Sequence, residues 1–146
     1  MKITIRTEAS LEETKVEIVC RELTQEVEEL LATIRMMNQQ ITAEKDGEMH
    51  LVNAAKIVYI EAVERKTFVY TEEDVYESKL RLYEMEERLM NSGFLRISKS
   101  CLVQLKYIKS LKNDLNRKLR LTLESGEQIM VSRQYAEEIK KRLGVI

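Results

Sequence analysis

GFLRISKSCLVQLKYIKSL, residues 93–111, decides the fold. From Ile97 onward it holds two short apolar runs, CLVQL (101–105) and YIKSL (107–111), which read as short strands. Downstream, RKLRLTLES (117–125) and EQIMVS (127–132) join across Ser125-Gly126 as a tight hairpin. Leu119, Leu121 and Leu123 alternate there with Lys118, Arg120 and Thr122, the pattern of a strand buried on one face. A short helix from Arg133 to Leu143 follows. Upstream, Ser78 offers an N-cap, and Leu82, Met85 and Leu89 recur at helical spacing until Asn91-Ser92-Gly93 stops the turn. Before that lie three further strand-like runs, Ile57 to Glu61, Thr67 to Thr71 and Val75-Tyr76, with Ala62 to Lys66 as the loop between the first two. The reading is a mostly β (α+β) domain with two or three helices. Its basic residues sit on strand faces and loops, and no helix has the look of a basic recognition helix.

Proline is absent and there are four glycines, so Asp46-Gly47 is the clearest punctuation and marks a boundary between residues 1–44 and 45–146. Ahead of it, Lys2 to Arg6 (KITIR) alternates through Ile3 and Ile5, and Lys15 to Cys20 (KVEIVC) through Val16 and Ile18, predicting two short strands. Leu23, Val27, Leu30, Leu31 and Ile34 then form one apolar stripe of a helix that runs to Met37, with Glu26, Glu28 and Glu29 facing water. A β-β-α unit this small buries little surface alone. Its apolar face is expected to pack on the rest of the chain or on a second copy.

The 146 residues suit one domain with an appendage, and 44% hydrophobic with 34% charged residues excludes global disorder. No stretch approaches the ~20 apolar residues of a membrane span and no secretory h-region opens the chain, so a cytoplasmic location is expected. Cys20 and Cys101 are far apart, with no CxxC and no His cluster, so both read as buried, inert thiols, and no metal or cofactor site is expected. His50 is the one histidine and has no nucleophile pattern around it, and neither a phosphate-binding loop nor a zinc-protease motif is present, so neither catalysis nor a small-molecule substrate is expected. The net charge of −1 hides an asymmetry. Lys and Arg number five against nine acids in residues 1–44, seven against eleven in 45–92, and twelve against five in 93–146. The basic end is the candidate phosphate-contacting surface.

The run from Ile57 to Leu143 resembles the LytTR DNA-binding family, segment by segment and in the family's order. IVYIEAVERKTFVY (57–70) is similar to its first strand pair, and Leu82, Met85 and Leu89 to its helix pattern. GFLRISKSCLVQLKYIKSL is similar to its central signature, and LTLESGEQIMVSRQYAEEIKKRL (121–143) to its closing hairpin and helix with a Ser-Arg pair. Two positions depart: Ser98 stands where the family usually has His, and Gln104 where it usually has Asn. Residues 1–44 fall outside the resemblance.

The resemblance implies a transcriptional regulator whose loops enter successive major grooves of duplex DNA. Arg65 and Lys66 between the first two strands, Arg96, Ser98, Lys99, Ser100 and Gln104 in the central signature, and Arg133 after Ser132 are the implied contacts, with Lys106 and Lys109 beside them. Arginine can pair in a bidentate manner with guanine O6 and N7, while lysine supplies point-charge contacts. Arg96 has a competing role as an internal ion-pair partner, for which Glu61 and Glu64 are candidates. Ser98 and Ser100 can equally satisfy backbone groups at a turn, and Tyr59, Phe68, Tyr70 and Phe94 read as core. Two copies on a repeated site fit the family. The 44 residues ahead are too few for a receiver domain, so control is expected through abundance, through dimerisation by the helix Leu23–Met37, or through a separate partner protein, one in the membrane included. The alternative function is a protein-interaction module in which the N-terminal unit recruits a partner and DNA binding is weak or absent.

Overall fold

The computed structural model describes residues 1–37, 39–90 and 92–145. Helix α1 (Gln25–Met37) precedes ten strands: β1 (Gln40–Lys45), β2 (Glu48–Asn53), β3 (Ile57–Val63), β4 (Lys66–Thr71), β5 (Val75–Ser78), then after α2 (Leu82–Arg88) β6 (Phe94–Ser98), β7 (Cys101–Gln104), β8 (Ile108–Asn113), β9 (Leu119–Leu123) and β10 (Gln128–Val131). Helix α3 (Arg133–Arg142) follows. The first seven strands form one sheet in the order β2-β1-β5-β4-β3-β7-β6, and β10-β9-β8 form a second. All pairings are antiparallel.

The large sheet is buried on both faces at its centre. Ile57 and Ile60 of β3, Phe94 of β6 and Leu102 of β7 join Ile41, Val69, Met85 and Leu89 in one apolar cluster under α2. Val58, Leu95, Ile97 and Val103 from the same three strands face the other way and meet Leu119, Leu121 and Leu123 of β9 with Ala136 and Ile139 of α3. Strands buried on two faces need apolar residues at consecutive positions, which is why IVYI and CLV read as continuous runs. Strand β9, central in the second sheet, has one face on this core and the other toward water and keeps its alternation, buried at 119, 121 and 123 and exposed at 118 and 120.

Several boundaries differ from the sequence reading. Asp46-Gly47 is the turn of the β1–β2 hairpin, with both residues at positive φ (52° and 80°). The core therefore reaches back to Ile41 and Ala43, ahead of the expected boundary. Such a turn suits Asp-Gly because glycine has no Cβ to oppose φ above zero. Ser78 ends β5, buried, and its hydroxyl accepts from Leu80 N at 3.1 Å; α2 begins three residues later than a Ser78 cap requires. Asn91 of the expected stop lies outside the described residues. Phe94 is core as expected, whereas Tyr59, Phe68 and Tyr70 are half-buried, Tyr59 and Tyr70 being stacked at 4.3 Å between ring centres.

The two strands expected in residues 2–6 and 15–20 do not form: among the described residues, 1–24 carry no helix or strand. Two or three alternating apolar residues per segment cannot hold a two-stranded ribbon without a third partner. Cys20 is exposed there, contrary to expectation. Helix α1 forms from Gln25, over the predicted stripe from Val27 onward, with Leu23 ahead of it.

Leu102 is fully buried where α2 meets the centre of the sheet. Leu102→Ala is expected to lower unfolding free energy by about 2–5 kcal/mol, read as a lower urea midpoint at unchanged slope.

Candidate nucleic-acid interface

The turn between β6 and β7 is built around Lys99. Arg96 pairs with Leu102 across the ladder, yet Ser98 pairs with Cys101, so β6 carries one extra residue, a bulge at Ile97. The turn residues Lys99 and Ser100 do not have the positive φ found in the β1–β2, β3–β4 and β9–β10 turns, and a turn of that hand splays its strands unless the register gives. Arg96 holds the result in place. Its Nη1 donates to the Lys99 carbonyl oxygen at 2.8 Å, and its Nε and Nη2 donate to the two carboxylate oxygens of Glu86 on α2 at 3.4 and 3.2 Å. The Ser98 hydroxyl accepts from Ser100 N at 3.2 Å. Lys99 and Ser100 are left exposed at the tip. Arg96 is thus an internal ion-pair residue, as its competing role anticipated, but with Glu86 rather than Glu61 or Glu64.

Other basic loops gather at the same end of the sheet. Ser100 O accepts from Ala62 N at 2.8 Å, which seats the Lys99 turn beside the β3–β4 hairpin. The tip of that hairpin is Glu64 and Arg65, at φ 50° and 71°, with Lys66 following, all exposed. A non-glycine residue at such φ is uncommon, so the tip is held by the pairing of Val63 with Lys66 below it. On the far side of the Lys99 turn, Ser132 N donates to Ile97 O at 2.9 Å, which places exposed Arg133 at the first turn of α3 next to the bulge. Crossing β4, β3, β7 and β6 takes three strand spacings of about 4.8 Å, so the row from Lys66 to Ser98 is about 15 Å long. That is comparable to the ~12 Å width of a major groove.

The remaining expected contacts lie elsewhere. Gln104 is at the opposite end of β7 from Ser100, 5% exposed, and its amide donates to Ser92 O at 3.1 Å. Its role is to tie the α2–β6 connection to the sheet. Lys106, over the Tyr107 ring at 5.2 Å, and Lys109 are exposed near that far end, where Ile108 pairs with Leu123. A four-residue strand separates its ends by about 10 Å, and the length of CLVQ was the signal that could have separated Gln104 from Ser100.

Further basic residues lie beside the row. Lys79 and Arg81 share a surface cleft with Arg65 and Lys66, and Glu44 and Glu77 are the acids lining it. The β8–β9 turn, Leu115–Arg117, lies against α3 and exposes Arg117 and Lys118, whereas Arg120 is engaged by Asp114 at 2.8 Å. The Asp114 carboxyl is held below its ordinary pKa by the Leu115 N–H and then by Arg120. These positions follow from which loops share an end of the sheet, which no local pattern announces.

Cys101 sits at the base of the Lys99 turn, where burial, with Glu61 adding to it, pushes its thiol up to about 12. The raised value favours the neutral thiol, the form that does not react.

A β-rich domain that gathers exposed cations at one end of a sheet presents a surface with the charge to meet nucleic-acid phosphates. The LytTr DNA-binding domain model matches residues 47–144, and the chain belongs to that family. It is similar to proteins named uncharacterized HTH-type transcriptional regulators in Staphylococcus aureus: 27% identical over 147 residues to those of strains NCTC 8325 and COL, covering 99% of this chain and 99% of each of those. Residues 1–46, outside the domain match, are thus within these alignments. Among solved structures it is similar to the LytTr DNA-binding domain of a protein described as a methyl-accepting/DNA response regulator from Bacillus cereus, with a TM-score of 0.68, 31% identity, and coverage of 73% of this chain and 97% of that one.

Two outcomes are expected at this site. Arg96→Ala should cost about 1–3 kcal/mol and speed amide exchange of residues 99–101 well beyond that of the α2 core. Cys101 should stay unreactive toward a maleimide at neutral pH until the chain unfolds.

Proposed function

We propose that the chain is a sequence-reading transcriptional regulator that binds duplex DNA with the row Arg65, Lys66, Ser98, Lys99, Ser100 and Arg133. The observation that carries the reading is the convergence of three exposed cationic loop tips, Arg65, Lys99 and Arg133, on one end of the sheet through the Ala62–Ser100 and Ser132–Ile97 backbone bonds. Arg65 and Arg133 have the fork that reads guanine O6 and N7, Lys99 a flexible point charge, and the two serines supply either donors or acceptors. Lys79, Arg81, Arg117 and Lys118 flank the row and supply phosphate contacts. Arg96 acts through Lys99 and is a positioning residue. Gln104, Lys106 and Lys109 have no part in it.

The family and the names of its relatives support this reading, as does the local charge. The net charge of −1 does not oppose it, because phosphates sense the cations within a Debye length, about 8 Å at physiological salt. Two copies acting on a repeated site complete the proposal, with the protein in the cytoplasm and no catalytic step.

Selection from random duplex pools tests it. An enriched motif is expected, with log affinity falling by about 0.9 per phosphate contact against log salt. Arg133→Ala and Arg65→Ala should each cost about 1–3 kcal/mol on the selected site and relax preference at one position. Lys99→Ala should weaken binding. Lys106→Ala and Lys109→Ala should bind as the wild type does. No enrichment, or equal loss from both ends of the domain, would overturn the assignment.

A further inference from the structure

Residues 1–37 hold apolar surface that the domain does not cover. Ile3 and Ile5 are 81% and 87% exposed, and Val16, Val19 and Leu23 are 65%, 88% and 72% exposed. The alternation in residues 15–20 is still used: Val16, Ile18 and Cys20 line one side of a groove whose other side is Val27, Leu31 and Ile34 of α1. The segment that walls the groove has no assigned helix or strand and, among the described residues, 12–23 make no backbone–backbone hydrogen bond, so its N–H and C=O groups are free to pair with a strand. Lys15–Cys20 already lies along α1 without a strand partner, and a second segment with alternating apolar residues beside it would let both pair as strands over the helix.

We infer that this strand comes from a second copy: the arm Lys2–Arg6 of one molecule lies in the groove of another beside Lys15–Cys20, and the exchange is reciprocal. Three observations select this occupant. First, the groove takes the arm by size. Its volume of about 240 Å³ exceeds the ~150 Å³ aliphatic cavity that accepts a benzene ring, leaving room for the side chains of Ile3 and Ile5. Second, the charges are complementary. Residues 1–7 contain Lys2 and Arg6 and no acid, whereas residues 12–29 contain seven acids against Lys15 and Arg21. Arg6 meets its neighbour Glu8 at 3.2 Å, an exposed pair of little weight that does not hold the arm back. Third, the arm is unused at home: within its own chain neither isoleucine is covered. Reciprocal exchange is a closed two-fold arrangement, and residues 1–37 can supply the ~20–30 residues a side of a standard interface. The partner in the proposed DNA complex thereby acquires a stated surface, and since no DNA takes part, this inference stands or falls separately from the DNA reading.

The full chain is measured by light scattering across the micromolar range, and the exposed thiol Cys20 is labelled in parallel, with half-buried Cys101, whose thiol is pushed up to about 12, as the internal control for folding. A dimer is expected, with Cys20 labelled more slowly as concentration rises. Ile3→Asp/Ile5→Asp, at two exposed positions, should raise the dissociation constant by about 100-fold, a tenfold factor or more per buried isoleucine, restore rapid Cys20 labelling and leave Cys101 protected. Ile5→Cys treated with a short bis-maleimide gives the geometry directly. A covalent product of dimer mass, linking the thiol introduced in the arm of one copy to Cys20 of the other, supports the exchange. A cross-link within one chain, a monomer with protected Cys20, or a dimer insensitive to the arm substitutions overturns it.

Discussion

Burial of β3, β6 and β7 on both faces is the constraint on which the rest of the structure depends. Each of these strands feeds alternate residues to the layer under α2 and to the layer under β9 and α3, so neither layer can form without the same backbone. Backbone groups sealed on two sides must be paired in the sheet, and the ladder β3-β7-β6 does this. The two-sided core also explains why a chain with four glycines and no proline still reaches tight hairpins. Ladder and core together hold Asp46, Glu64, Arg65, Asn116 and Arg117 at positive φ, a conformation that costs a side-chain-bearing residue.

The basic row is a consequence of that sheet. Its tips belong to loops separated by more than thirty residues in sequence, and adjacent strand ends bring them within one groove's reach. The Arg96 guanidinium spans α2 and the Lys99 turn, so the same helix that caps one core layer also holds the carbonyl of an exposed loop lysine. A cation that would be one more contact on a surface becomes a brace when its side chain is only 17% exposed. Removing the brace and removing a tip residue act on different steps, one on loop position and one on contact.

Much of this is legible in the sequence. The runs IVYIE, TFVYT and RLTLES mark strands because β-branched and aromatic residues or strict alternation leave little else, and the stripe from Leu23 to Ile34 marks a helix. The hairpin β1–β2 was hidden because ITAEK and EMHLV carry few β-forming residues on any one face, and the turn that joins them looked like a boundary. Gln104 was misplaced for a related reason: proximity along the chain stood in for proximity in space, although a strand of four residues carries its two ends to opposite edges of the sheet. Lys79 and Arg81 had no local mark at all.

The sequence alone determined the elements with strong periodicity, the concentration of basic charge after Gly93, and the membership that the order of motifs implied. Those features rest on interactions between residues near one another in the chain, where spacing is geometry. Tertiary structure alone decided which cations share an edge, which one is spent as a brace, and that the apolar face of residues 16–34 stays open. Each of these depends on strand order and on what covers what, and strand order is set by packing between residues far apart in sequence, about which no local pattern carries information.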